Sequence, residues 1–206
     1  LYPPNLFGTR RTKEILSVNP TILPHREEAD RVLVTVYDYT AEQLEERKAE
    51  SVDTVFHYKE STSITWINID GIRKADVEAL CTKYVIHPLI MDKRRKMDEV
   101  EGVLYCLLNM LYFNEEKKTV ETEQISVVLG TNYVISFQED PARDVFDPIR
   151  HRLKMTKSQL RQRTADYLLY AMIDLIVDSY FIVMERLGDQ IEALEEEVVR
   201  KSNKRS

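Results

Sequence analysis

From Arg163 to about Ser202 the chain runs without a proline and with a single glycine, and Ile173, Val177, Tyr180, Met184, Leu187, Ile191, Leu194 and Val198 recur at alternating spacings of four and three. This is a heptad seam, and at a rise of about 1.5 Å per residue it predicts a helix of about 55 to 60 Å. A rod of that length cannot lie across one small domain. It must pack along another long helix or a neighbouring subunit.

The charges beside the seam add a second constraint. Asp174, Asp178, Glu185, Glu192 and Glu195 each follow a seam residue by one position. Between Ala165 and Val199 there are nine acids against one base, Arg186. Most charge runs are solvated helix faces. This one, however, almost lacks the basic residues at i+4 that stabilise exposed helices, and hard cations could supply the missing positive charge.

Composition limits the alternatives. With 206 residues, 43% of them hydrophobic, the chain can build one medium domain with an appendage. Cys81 and Cys106 show no CxxC spacing, which argues against a zinc knuckle or a disulfide framework and fits a reducing compartment. The longest apolar stretch, Val103 to Phe113, is interrupted by Asn109 and is far shorter than the roughly 20 residues that span a bilayer, so neither a transmembrane segment nor a signal peptide is expected. His25, His57, His87 and His151 have no metal-ligand spacing, and His87 reads as a residue capping a turn. No Walker loop, dinucleotide fingerprint or nucleophile elbow occurs, and five glycines are too few for a phosphate cradle. Arg150, Arg152, Lys154, Lys157, Arg161 and Arg163 form an acid-free basic stretch without interleaved aromatics. An anion or an acidic helix suits it better than nucleic acid. Nothing points to an enzyme.

Along the chain, Arg31 to Tyr39 alternates as a half-buried strand, and Thr40 is placed to cap a charged helix from Ala41 to about Glu50. Thr62 to Asp70 is a second strand closed by Asp70-Gly71, with Trp66 as core packing. Asp76 to Val85 reads as an amphipathic helix, and Pro88 starts a short helical turn. Val103 to Phe113, apolar on both faces, reads as a central strand, and Gln124–Leu129 and Tyr133–Phe137 flank a hairpin turn at Gly130-Thr131-Asn132. The expected class is α/β: a mixed sheet flanked by helices, an α/β/α sandwich, followed by a long acidic coiled-coil-like helix. The division falls into a core at 1–142 and a helical extension at 143–206.

Five segments then carry a family resemblance. They are Thr65-Trp66-Ile67-Asn68-Ile69-Asp70-Gly71, Ile86-His87-Pro88-Leu89, Glu121-Thr122-Glu123-Gln124-Ile125-Ser126, Val145-Phe146-Asp147-Pro148-Ile149-Arg150 and Ala165-Asp166-Tyr167-Leu168-Leu169-Tyr170. In this order the chain resembles the N-terminal cytoplasmic domain of the CorA magnesium and cobalt transporters, from about Val32 onward. The resemblance implies a homopentameric funnel in the inner membrane, with the membrane reached only through helices that would follow Ser206. It also implies a cytoplasmic domain that binds regulatory Mg²⁺ between subunits, with Co²⁺ or other divalent cations possible.

Carried over residue by residue, the metal ligands are Asp92, after the Ile-His-Pro-Leu segment, and Asp174, with Asp178 a weaker candidate one turn on. The sequence departs from the family pattern at the first of these. Asp92 leads directly into Lys93-Arg94-Arg95-Lys96, where the family shows Glu-Asp and a longer loop, so the second acid of that pair has no counterpart. Two other readings fit the residues: a zinc-transporting relative of the same architecture, and an oligomeric scaffold whose acidic helix binds a basic partner without any metal.

Overall fold

The computed structural model describes residues 32–84, 97–100 and 102–203. Seven strands form one mixed sheet: β1 (Leu33–Tyr39), β2 (Leu44–Ala49), β3 (Ile64–Asp70), β4 (Met97–Val100), β5 (Val103–Asn114), β6 (Thr119–Leu129) and β7 (Tyr133–Gln138). Their order across the sheet is β2-β1-β3-β7-β6-β5-β4. Every neighbouring pair is antiparallel except β3 and β7, which run parallel in the register Thr65↔Tyr133 to Asp70↔Gln138. The helices are α1 (Lys74–Tyr84), α2 (Asp147–Lys154), α3 (Gln159–Gln162) and the 39-residue α4 (Ala165–Asn203), with 3₁₀ segments at Val52–Glu60 and Pro141–Arg143.

Both faces of the sheet are covered, as the α/β/α reading requires. On one face Val34, Val36, Ile67, Ile69, Ile135 and Phe137 pack against α1 and the first 3₁₀ segment through Val55, Tyr58, Leu80 and Tyr84. The opposite face presents Tyr37, Trp66, Ile125, Val127 and Val134 to Phe146, Ile149, Leu153, Leu160, Leu168, Met172 and Ile176 of the later helices. The core therefore extends from the sheet well beyond residue 142. Tyr37 stacks on Trp66 at 4.8 Å between centroids, Phe146 meets the same indole edge-on at 5.7 Å, and the Arg150 guanidinium lies 5.5 Å from its centre. Fully burying side chains of this size contributes about 1.5 to 3 kcal/mol each.

The turns at the strand ends follow local chemistry. Gly71 closes β3 at φ +86°, in the left-handed region that glycine enters without strain. A Cβ on Gly130 would come within 2.2 Å of the Tyr133 ring, so the β6–β7 hairpin needs glycine there, and its turn is closed by Gly130 N–H donating to the Tyr133 carbonyl at 2.9 Å. Cys81 and Cys106 are buried free thiols, on a helix and a strand respectively.

Two sequence-based expectations are corrected. Ala41–Glu50 is not a helix. Thr40 Oγ1 accepts from the backbone N–H groups of Glu42 and Gln43, which makes a tight turn, and Leu44–Ala49 returns as edge strand β2. Its charged residues favour a helix intrinsically, but pairing with β1 overrides that preference, and a charged strand suits an exposed sheet edge. Val103–Phe113 is a strand but not a central one. It lies next to the edge strand β4 and is largely half-buried, whereas β7 is buried at every position. The helical turn and cap expected at His87-Pro88 lie outside the described residues.

Candidate functional site

Helix α4 is the element on which the acidic site was expected, and its start is chemically fixed. Thr164 donates its hydroxyl to Asp166, whose carboxylate also accepts from Tyr167 N–H at 2.9 Å, so these bonds hold Asp166 below the usual carboxylate range. A carboxylate in the first turn also complements the helix dipole. From there Ala165, Leu168, Leu169, Met172, Ile176 and Val183 face the sheet and are buried. Tyr180 donates its hydroxyl to the Asn109 carbonyl on β5. Further out, Arg186 and Glu115 at the tip of the β5–β6 hairpin are 3.6 Å apart, an exposed pair of small worth.

The buried stripe is not the heptad seam. It is offset from it around the helix, and the seam residues Val177, Met184, Leu187, Ile191, Leu194 and Val198 are exposed, as are Tyr170, Phe181 and Ile182. The helix thus carries two apolar faces. Its own sheet occupies one, and the described residues leave the other uncovered. By length and composition α4 is also apolar enough to cross a membrane, which the strand-by-strand reading had not anticipated. A core helix pressed onto a sheet meets the same criterion, and the residues it buries here are the ones that touch the sheet.

Asp174 and Asp178 lie one turn apart beside Ile173 and Val177, and both are exposed. Among the described residues neither has a hydrogen-bond or ion-pair partner, and no three His, Cys, Asp or Glu side chains gather as a metal site. Asp92 lies outside the described residues, so its position relative to Asp174 is not part of the structure described. The donor set nevertheless suits Mg²⁺, which prefers oxygen, keeps much of its water and accepts one or two carboxylates per chain. Asp174 and Asp178, exposed one turn apart, are donors of that kind.

Half of the basic stretch is used within the fold. Arg150 pairs with Asp144 at 2.5 Å and Asp147 at 2.9 Å, Lys154 with Glu46 at 2.9 Å, and buried Arg161 donates to the Thr40 carbonyl at 3.1 Å. An anion site built from those three would have to break these contacts first.

Sequence reasoning did not identify a second constellation, at the carboxyl ends of the parallel pair. Trp66 Nε1 donates to Ser136 Oγ, Ser136 Oγ donates to Asn68 Oδ1, and Asn68 Nδ2 donates to Asp70 Oδ2, over 2.9, 2.7 and 2.9 Å. Asp70 Oδ1 and both amide atoms of Gln138 are buried without a hydrogen-bond partner. Nearby Glu123, 4% exposed, accepts from the backbone N–H groups of Glu139 and Asp140, and burial pushes its carboxyl up. The only sequence signal was a polar residue at every second position of two strands otherwise suited to a core, in Asn68-Ile69-Asp70 and Ser136-Phe137-Gln138.

A family model described as CorA-like Mg²⁺ transporter protein matches residues 61–206. The cobalt/magnesium transport protein CorA of Thermotoga maritima is 36% identical over 178 residues, which cover 83% of this chain and 50% of that protein. A putative metal ion transporter of Bacillus subtilis is 25% identical over 147 residues, 66% of this chain and 44% of that protein. The chain spans about half the length of the curated relatives it matches. Among solved structures, the soluble domain of CorA from Methanocaldococcus jannaschii superposes with a TM-score of 0.59 at 15% identity, covering 84% of this chain and 66% of that one. The complete CorA magnesium transporter of the same organism gives 0.54 at 18% identity, covering 83% and 52%. At those identities the superpositions establish the shared fold.

Proposed function

The chain belongs to the family of CorA-like Mg²⁺ transporter proteins, and from that premise we propose that it is the cytoplasmic, cation-sensing portion of a channel for divalent cations. The observation that carries this reading is the exposed Asp174, with Asp178 a turn away, beside an apolar seam that the described residues leave uncovered. In this reading the chains assemble as a ring, and Mg²⁺ sits between neighbours on Asp174 and Asp92. The ion neutralises carboxylates that would otherwise repel, favouring the closed arrangement, and its departure favours splayed, conducting ones. Import is thereby limited by its own product. The part of α4 beyond Val183, which leaves the sheet, is the start of the shaft that joins this domain to the membrane part.

The test is Asp174→Asn in the full-length channel, read as inhibition of cation flux across a titration of internal Mg²⁺. Loss of the Mg²⁺ dependence is expected. Glu192→Gln is the matched control because it removes one charge from the same helix face without touching the proposed ligands. Asp166 would be a poor control, since its carboxylate holds the start of the helix. An inhibition curve for Asp174→Asn identical to wild type would refute the assignment and leave Asp174 as a solvated helix residue.

A further inference from the structure

The constellation at the ends of β3 and β7 lies away from the acidic helix face, and its unmatched atoms have a specific chemistry. Asp70 and Gln138 are register partners on adjacent parallel strands, so their side chains leave the same face of the sheet about 4.8 Å apart. Asp70 is 6% exposed and Gln138 0%. Their unpartnered atoms are a carboxylate oxygen, an amide oxygen and an amide N–H₂ group. Two of the three are acceptors, and neither receives a hydrogen bond. A proton on Asp70 Oδ1 turns that buried oxygen into a donor, and Gln138 Oε1 on the neighbouring strand is an acceptor that lacks one. Buried polar atoms left unmatched in this way are costly, which favours the state that matches them.

The surrounding charges point the same way. Asp144 from the loop and Glu123 from β6 are the acids that act on Asp70, and Arg150 of α2 is the base. Arg150 is already shared between Asp144 and Asp147, so it compensates Asp70 only in part. Trp66, Ser136 and Asn68 are neutral and hold the other carboxylate oxygen through the hydrogen-bonded chain described above.

We propose that Asp70 and Gln138 form a proton-binding site at the carboxyl ends of β3 and β7, and that its occupancy sets how firmly Arg150 is held between the sheet and the loop entering α2. With Asp70 ionised, three carboxylates act on Arg150; once Asp70 is protonated, only Asp144 and Asp147, which it already contacts, remain. Burial, assisted by Asp144, pushes the Asp70 carboxyl up to about 6. A carboxyl raised in the folded state favours folding below its unfolded value near 4, and that contribution is lost as pH rises through about 6.

The experiment is a carboxyl-carbon NMR titration of the chain labelled at aspartate, with the Arg150 Nε–H resonance followed in the same samples. One aspartate is expected to titrate near pH 6, to vanish from the spectrum in Asp70→Asn, and to move toward about pH 5 in Asp144→Asn, where a facing charge is gone and Arg150 is released. Asp144 is a quarter exposed, so this second variant keeps the core intact if Asp70→Asn fails to fold. The Arg150 resonance is expected to shift with the same midpoint. An Asp70 midpoint near 4, or one unmoved by Asp144→Asn, overturns the proton site, and an Arg150 resonance indifferent to that midpoint overturns the link to α2.

Discussion

The two halves of α4 continue one helix and one apolar seam but differ in composition and fate: 15 of the 19 residues from Ala165 to Val183 are hydrophobic, against 7 of the 20 from Met184 to Asn203. From Ala165 to Val183 the helix buries Leu168, Met172 and Ile176 against the sheet, and Tyr180 ties it to β5. From Met184 onward, Met184, Leu187, Ile191, Leu194 and Val198 are exposed. Periodicity therefore shows that a face is apolar but does not identify what covers it. In the first half the covering surface is the chain's own sheet. Among the described residues, the second half has the hairpin tip beside it, where Phe113, Glu115 and Lys118 line an open groove with Arg186, Asp189 and Leu194.

The sharpest test of this contrast is a pair of truncations. Met172→Ala opens a cavity in the core and is expected to cost about 2 to 5 kcal/mol in urea denaturation followed by circular dichroism. Leu194→Ala, at a position 60% exposed, is expected to change stability by no more than about 0.5 kcal/mol in the same chain. Equal costs would mean that the distal half is covered after all. The boundary itself can be moved with Tyr180→Phe, which leaves the Asn109 carbonyl without its side-chain donor. A loss of about 0.5 to 1.5 kcal/mol is expected, with faster hydrogen exchange concentrated just beyond residue 180. Protection unchanged there would show that apolar packing alone anchors the helix. A change of opposite sign is expected at Gly188, which has open space where a Cβ would stand. Gly188→Ala is expected to stabilise the distal helix by about 1 kcal/mol, seen as slower exchange after residue 188 with the global midpoint almost unchanged. A shift of the global midpoint by the full amount would make the two halves one cooperative unit.

How much of this was legible in the sequence depended on whether the signal was local. The long helix, the strands ending at Tyr39 and Asp70, the helix ending at Tyr84 and the Gly130 hairpin all follow from periodicity and turn chemistry within a few residues. β2 was misread because Glu45, Glu46, Arg47 and Lys48 are good helix formers, and only the partner strand β1 makes them a strand. The position of β5 in the sheet was misjudged for a related reason. It stands second from the sheet edge, between β6 and the short strand β4, with its apolar residues mostly half-buried, and no local pattern carries that information. For the candidate site, exposure of Asp174 followed from the helix pattern, whereas the Asp70–Gln138 pair depends on two strands brought together from 68 positions apart.

That same separation bears on how the chain reaches its folded state. The sheet consists of two antiparallel halves, β2-β1-β3 and β7-β6-β5-β4, each joining strands close in sequence, and a single parallel ladder sews them together. Each half can form from short loops, but the ladder must wait for the loop spanning α1 and three strands to close, an entropic cost met late. Ile67→Val, on the β3 side of that ladder, is therefore expected to speed unfolding while leaving the refolding rate nearly unchanged, whereas Val127→Ala in the β5–β6–β7 meander is expected to slow refolding. The join between the halves is thus the kinetic gate of the fold, where an incompletely assembled chain would still expose two unpaired strand edges to its neighbours.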